Sequence, residues 1–353
     1  MKKNEKIIIA IAIIVMAVAG VLTYTSSNVV LSFIVSGAAL ALMAKIVGSA
    51  TEQLGGHFGP AATGILQSAL GNLPELFIGI FALRAGLDKV VQAALVGSIL
   101  GNSLLVLGLA IFIGGLKNGT QRFLSEPPKM MATLMILAFA GLAIPTLTNM
   151  FHTPGAAHIN QMDVFLAIIL LLIFVAGLFS SLKGEPTIAT PKHGEATSHA
   201  AWPLALTIIV LACAGVASAF VSDWFVDALK PAMKLLNIND TFAGLVIVAI
   251  AGNAIENVVG IQLAYKNQSD YSMSVIMNSS LQIALGLFPL LVLLSFFLGG
   301  AILSFVLTPM LLISLALAVI VSAFIVFDGE SIWLEGLALI GLYLLIAVAF
   351  WWG

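Results

Sequence analysis

Charge is what this sequence has least of. Only 8% of its 353 residues are Asp, Glu, Lys or Arg, against about 25% in soluble domains. A chain so poor in charge lacks the polar coat of a globular surface, and its net charge of −2 offers no basic field for nucleic acid. Cysteine is nearly absent. Cys213 alone excludes an internal disulfide, and its setting, LACAGV, reads as inert packing. The histidines, His57, His152, His158, His193 and His199, fall mostly in loops. With no thiolate or imidazole cluster, a soft-metal site is excluded. A modulatory role for His193 and His199 is the minor reading.

What is present is apolar. The chain is 61% hydrophobic with a mean hydropathy of +1.13, the composition of an all-α polytopic membrane protein. A spanning helix needs about 20 mostly apolar residues. Apolar runs cut by polar or Gly/Pro clusters predict eleven spans, over 7–24, 28–48, 59–84, 89–115, 129–149, 161–182, 202–222, 238–265, 270–298, 300–327 and 331–352. The start, MKKNEKIIIAIAIIVMAVAG, has features of a signal peptide. Its apolar run is long for one and more membrane follows, so it is read as the first span. The segment 223–237, DWFVDALKPAMKLLN, reads as an amphipathic extension of span 7.

One long polar connection, KGEPTIATPKHGEATSHA at 183–200, divides the chain into near-equal halves. The expected organisation is an N-terminal helix (1–27), a first five-helix repeat (28–182), a cytoplasmic linker (183–201) and a second five-helix repeat (202–353). With the N-terminus inside, Lys2, Lys3, Lys6, Lys45, Lys117, Arg122, Lys129, Lys183, Lys192 and Lys266 collect on the cytoplasmic side, leaving Arg84, Lys89, Lys230 and Lys234 outside. That bias orients the protein N-in and C-out, in the plasma membrane.

A repeat carries the chemistry. ALGNLPELFIGI at 69–80 recurs as IAGNAIENVVGI at 250–261, an offset of 181 residues. Gly71, Asn72 and Glu75 match Gly252, Asn253 and Glu256. The copies fall in the third and eighth spans, and that odd step of five makes them antiparallel, the inverted-repeat plan of secondary transporters, with the site near the midplane. A carboxylate at that depth is costly and functional by default. Pro74 removes a backbone donor and so is expected to free the carbonyl of Leu70. Such freed carbonyls are tolerated only where they line a cavity. Carbonyls, the Asn72 and Asn253 amides and two carboxylates form a set of hard oxygen donors that suits calcium better than magnesium.

The same carboxylates serve protons. Close together and taken from water, Glu75 and Glu256 repel each other, and they bind protons as a coupled pair. Two protons or one divalent cation neutralise them, while the empty pair is disfavoured. Charge alone therefore yields an exchanger. VGSILGNSLLVLGL (96–109) and VIMNSSLQIALGL (275–287) follow the motifs and supply Ser98, Asn102, Asn278, Ser279, Ser280 and Gln282 as supporting polar groups. Glu52, Asp223 and Asp227 read as interfacial residues at span ends.

With GNLPEL (71–76), GNAIEN (252–257), GSILGNSLLVLG (97–108) and SSLQIALG (279–286), the sequence resembles the cation/proton exchanger family of the calcium/cation antiporter superfamily, and within it the compact prokaryotic calcium/proton antiporters. The resemblance spans nearly the whole chain. It implies one extra helix plus two five-helix halves, and Glu75 and Glu256 as alternating ligands of calcium and protons, with Asn72, Asn253 and Gln282 beside them. It also implies sliding gate helices. Two departures stand out. The 183–200 linker carries only Glu185 and Glu195, where relatives often have a strongly acidic helix, and Asn257 follows the second glutamate where Leu76 follows the first.

The expected function is export of Ca2+ in exchange for H+ by alternating access, with no cofactor and calcium as cargo. The partners are Ca2+, H+ and membrane lipid, with no nucleic acid and a homo-oligomer left open. The alternatives are a sodium/calcium exchanger, disfavoured because Gly-Asn rather than hydroxyls stand beside both glutamates, and an antiporter for another divalent ion such as Mn2+. No nucleophile accompanies the midplane acids, so an enzyme is not expected. Nor is a channel, which usually gains its rings of charge by oligomerisation.

Overall fold

The computed structural model describes residues 1, 3–25, 28–58, 66–182 and 202–352; at 181–182 and 254–256 it describes the backbone alone. The linker 183–200, with His193 and His199, the start of the third expected span and the side chain of Glu256 therefore lie outside the described residues.

Among the described residues eleven helical spans follow in order, with the bent pair of α8 counted as one. They are α1 (Lys3–Thr25), α2 (Val29–Gly56), α3 (Leu66–Arg84), α4 (Asp88–Asn118), α5 (Glu126–Met150), α6 (Ile159–Leu182) and α7 (Leu204–Leu236). Then come α8, in two limbs (Asp240–Asn253 and Asn257–Tyr265), α9 (Ser269–Ser295), α10 (Pro309–Val326) and α11 (Trp333–Trp352). A 20-residue helix is about 30 Å long, enough to cross the hydrocarbon. α7, with 33 residues, runs through the expected 223–237 extension without a break and ends at Asn237 in the left-handed region (φ 53°).

Contacts between helix ends define two faces. On the N-terminal face, β1 (Gln121–Arg122) pairs antiparallel with β2 (Glu330–Ser331), Lys117 Nζ donates to the Tyr265 carbonyl at 3.1 Å, and Trp202 Nε1 donates to Glu5 at 3.0 Å. On the far face, the Ala301 amide donates to the Leu83 carbonyl at 2.9 Å and Asn239 Nδ2 to that of Phe350 at 2.8 Å. α3 therefore runs away from the N-terminal face and α8 runs towards it, so the two motifs are antiparallel.

α4 and α9 form the centre. Their most apolar stretches are 72% and 83% buried, against 17% for α1. α1 lies at the periphery against α2 and α7, with Tyr24 edge-on to Trp224. Small residues set the closest crossings. A methyl on Gly336 of α11 would stand 2.6 Å from the Gly108 carbonyl of α4, so only glycine allows that approach.

Three expectations need correction. The tenth span does not begin at 300. Residues 301–308 are largely extended, and α10 starts at Pro309 behind a Thr308 cap that accepts from the Leu311 amide at 3.3 Å. One face of the segment, Leu303, Phe305 and Leu307, is nonetheless buried, and side chains satisfy its backbone. Gln92 Nε2 donates to the Ser304 and Val306 carbonyls (2.7 and 3.2 Å). Thr146 Oγ1 donates to the Phe305 carbonyl (3.1 Å) and accepts from the Leu307 amide (3.0 Å). Second, Cys213 is exposed on the outer surface of α7 rather than packed inside. Third, the two-residue strand pair on the N-terminal face was not foreseen; segments of two residues leave no alternation to read.

Candidate cation site

The first motif breaks its helix. Gly71 and Asn72 form a turn in α3 and a second helix starts at Leu73, with Pro74 in its first turn. Pro74 therefore does not sit in the middle of a helix. It occupies a first-turn position, where a backbone N–H has no helical acceptor in any case. Glu75 lies in the same turn, at the positive end of the half-helix dipole, which suits a carboxylate. The second motif differs. The helical hydrogen-bond pattern continues through it, so α8 is not unwound, yet its two limbs are bent by 63°.

The asparagines use their amide nitrogens to hold neighbours and leave their oxygens over. Asn72 Nδ2 donates to Gln282 Oε1 at 3.2 Å, and Gln282 Nε2 donates in turn to Ser68 Oγ at 3.0 Å. Asn253 Nδ2 donates to Ser98 Oγ at 2.8 Å and to the Ala249 carbonyl at 3.0 Å. Both residues are buried, and Oδ1 of each has no hydrogen-bond partner. A buried acceptor without a donor costs about 1–3 kcal/mol. Two of them stand at matched motif positions.

The motifs meet. A methyl on Gly252 would stand 3.0 Å from Glu75 Cγ and 3.3 Å from its Oε1, so the first glutamate lies directly against the second motif's glycine. Gly71 itself remains in the turn, its amide bonded to the Gln67 carbonyl at 2.8 Å. The polar spans join at the centre. Asn102 Nδ2 donates to Ser279 Oγ at 2.9 Å, and the hydroxyls of Ser103 and Ser280 are 3.1 Å apart. Both pairs are separated by 177 residues, so corresponding parts of the two halves touch each other there.

Two cavities share Ser98. One, of about 340 Å³, holds Glu75 and runs between Ile78, Val91 and Leu291, towards the far ends of their helices. The other, of about 210 Å³, is lined by Asn102, Asn253, Asn257 and Tyr343 and lies on the N-terminal side of Ser98. Among the described residues no three His, Cys, Asp or Glu side chains cluster; amides and hydroxyls supply most of the oxygens. The structure thus brings together Asn72, Glu75, Ser98, Gly252, Asn253 and Gln282, joins Asn102 to Ser279, and places Ser280 beside Ser103.

Sequence reasoning passed over Ser68, Ser103 and Tyr343. Ser68 lies one helical turn before Asn72, and Ser103 stood beside Asn102 in the motif itself. Tyr343 had no local signal. Of the remaining expectations, His57 is not a free loop side chain: its Nε2 is 2.9 Å from the Trp202 carbonyl. Asp223 and Asp227 lie within the single long helix α7, Asp223 half-buried and Asp227 exposed.

A family model described as sodium/calcium exchanger protein matches residues 28–183 and 206–352. The chain belongs to that family. Within this exchanger family, it is 34% identical to a Ca(2+)/H(+) antiporter of Synechocystis sp. over 90% of both chains. It is also 34% identical to the Ca(2+)/H(+) antiporter ChaA of Bacillus subtilis, over 87% of this chain and 88% of the other. The solved structure of native YfkE superposes with a TM-score of 0.83 at 30% identity, over 99% of this exchanger and 100% of that chain.

Proposed function

We propose that the protein exchanges calcium for protons across the plasma membrane by alternating access, with Glu75 and Glu256 binding either Ca2+ or H+. The observation that carries this reading is the contact of Glu75 with Gly252, which sets one motif's acid against the other motif, next to two amide oxygens that lack donors. Calcium accepts 6–8 oxygens in flexible geometry, and a carboxylate, two amide oxygens and nearby hydroxyls begin such a shell. The names borne by the Synechocystis and Bacillus subtilis relatives point the same way.

The charge argument supplies the coupling. With the cation gone, the paired carboxylates must take up protons before the site can reorient, and a cation arriving from the other side displaces them. The two cavities on opposite sides of Ser98 supply approaches from the two faces. The excess of lysine and arginine on the N-terminal face supports a cytoplasmic N-terminus and an external C-terminus. Residues 28–182 and 202–353 then act as the two inverted halves.

Calcium uptake into sodium-free proteoliposomes tests this. An imposed pH gradient drives uptake in the wild type, and Glu75→Gln or Glu256→Gln abolishes it. Uptake that needs a sodium gradient instead establishes the sodium/calcium reading.

A further inference from the structure

Tyr343 belongs to no motif, yet its hydroxyl is buried and lacks a hydrogen-bond partner. It lies about two turns along α11 from Gly336, whose close approach to Gly108 seats α11 on α4. That packing turns Tyr343 into the 210 Å³ cavity beside Asn102, Asn253 and Asn257. Asn253 Oδ1 and Asn257 Oδ1 are likewise buried without partners. A methyl on Gly101, in the same wall, would meet nothing within 4 Å. Three buried oxygens without partners thus belong to residues that line one cavity.

Their chemistry is complementary to one small ligand. Two are amide carbonyl oxygens, which only accept, and the third is a hydroxyl, which can donate. A water molecule donates twice and accepts once with this set, and about three hydrogen bonds is the usual number for a buried water. A wholly apolar cavity stays dry; the amides and the phenol among this one's lining residues are groups that a water can bridge.

The two halves differ at this point. Asn257 stands where the first motif has Leu76. This polar departure from symmetry falls on the cavity that Tyr343 lines.

We propose that this cavity is a water-binding pocket in which Tyr343 acts as a positioning residue: its hydroxyl holds a water between the amide oxygens of Asn253 and Asn257 and so fixes Asn253 for the second half of the cation site. This rests on the reading of Asn253 as a cation ligand. Removing the hydroxyl loosens Asn253, weakens calcium binding and leaves the fold intact.

The test is calcium uptake by the full chain in proteoliposomes, measured against calcium concentration at several pH values for wild type, Tyr343→Phe, Asn257→Leu and the double variant. Tyr343→Phe raises the calcium KM about 5-fold, the worth of one hydrogen bond, with Vmax within about twofold. Asn257→Leu, which copies Leu76, has a similar effect, and the double variant is no worse than the worse single because both lose the same water. Thermal unfolding is unchanged for Tyr343→Phe. A Tyr343→Phe protein with wild-type KM and pH profile overturns the proposal, as do single effects that multiply in the double variant. A wild type that takes up no calcium overturns the transport reading and this one together; a transporting wild type indistinguishable from Tyr343→Phe overturns this one alone.

Discussion

Glu75 of the first motif lies against the backbone of Gly252 of the second, with room for no side chain between them at ordinary separation. A methyl at 252 presses on Cγ and Oε1 of the carboxylate, and overpacking of this kind costs about 1–3 kcal/mol. Gly252→Ala should therefore reduce calcium transport about 10-fold or more, while the protein still folds and reconstitutes. Initial uptake rates, compared with the elution profile in detergent, check this.

Gln282 links Asn72 to Ser68 through both ends of its amide. Gln282→Leu leaves the Asn72 amide hydrogens without their acceptor in a buried setting, at a cost of about 1–3 kcal/mol. Asn72 then turns its nitrogen elsewhere and its oxygen away from the site. The calcium KM should rise about 10-fold, and Ser68→Ala should have a smaller effect in the same direction. A calcium titration of uptake distinguishes the two.

Thr146 is a support for structure rather than transport. Its hydroxyl serves both the Phe305 carbonyl and the Leu307 amide of the buried extended segment. Thr146→Val keeps the shape and removes both bonds, so the protein should lose about 2 kcal/mol of stability with an unchanged calcium KM. Thermal unfolding in detergent, paired with uptake, reads both.

Arg122 and Glu330 pair across the short strands at 3.1 Å with both side chains largely exposed. Exposed pairs contribute little. Arg122→Ala should leave stability and transport at wild-type levels, and a fall in either would assign the strand pair a role beyond tying two loops together.

Much of this was legible in the sequence, because the bilayer makes the message redundant. Twenty apolar residues in a row have few alternatives, and the offset of 181 between Glu75 and Glu256 declares the inverted repeat without any contact being known. The site's polar members, Asn72, Asn253, Ser98 and Gln282, were legible because each is an exception within an apolar run. What escaped was set by tertiary packing. Residues 301–308 read as the start of a span because they are apolar, and partners from other helices, Gln92, Thr146 and Ser295, satisfy a non-helical backbone there. Tyr343 carried no signal in the sequence; the Gly336–Gly108 crossing places it in one cavity with Asn257. Pro74 was legible as a disruption, but whether it kinks a helix or begins one depends on the turn at Gly71 and Asn72.

The central claim is competition between calcium and protons for one paired site. Calorimetric calcium binding to the purified protein, repeated in buffers of different ionisation enthalpy, counts the protons released. The account predicts that wild type releases protons as calcium binds, that its apparent affinity falls up to about tenfold per pH unit on acidification for each proton displaced, and that Glu75→Gln and Glu256→Gln each lose release and affinity. Calcium binding that releases no protons and is insensitive to pH would contradict it.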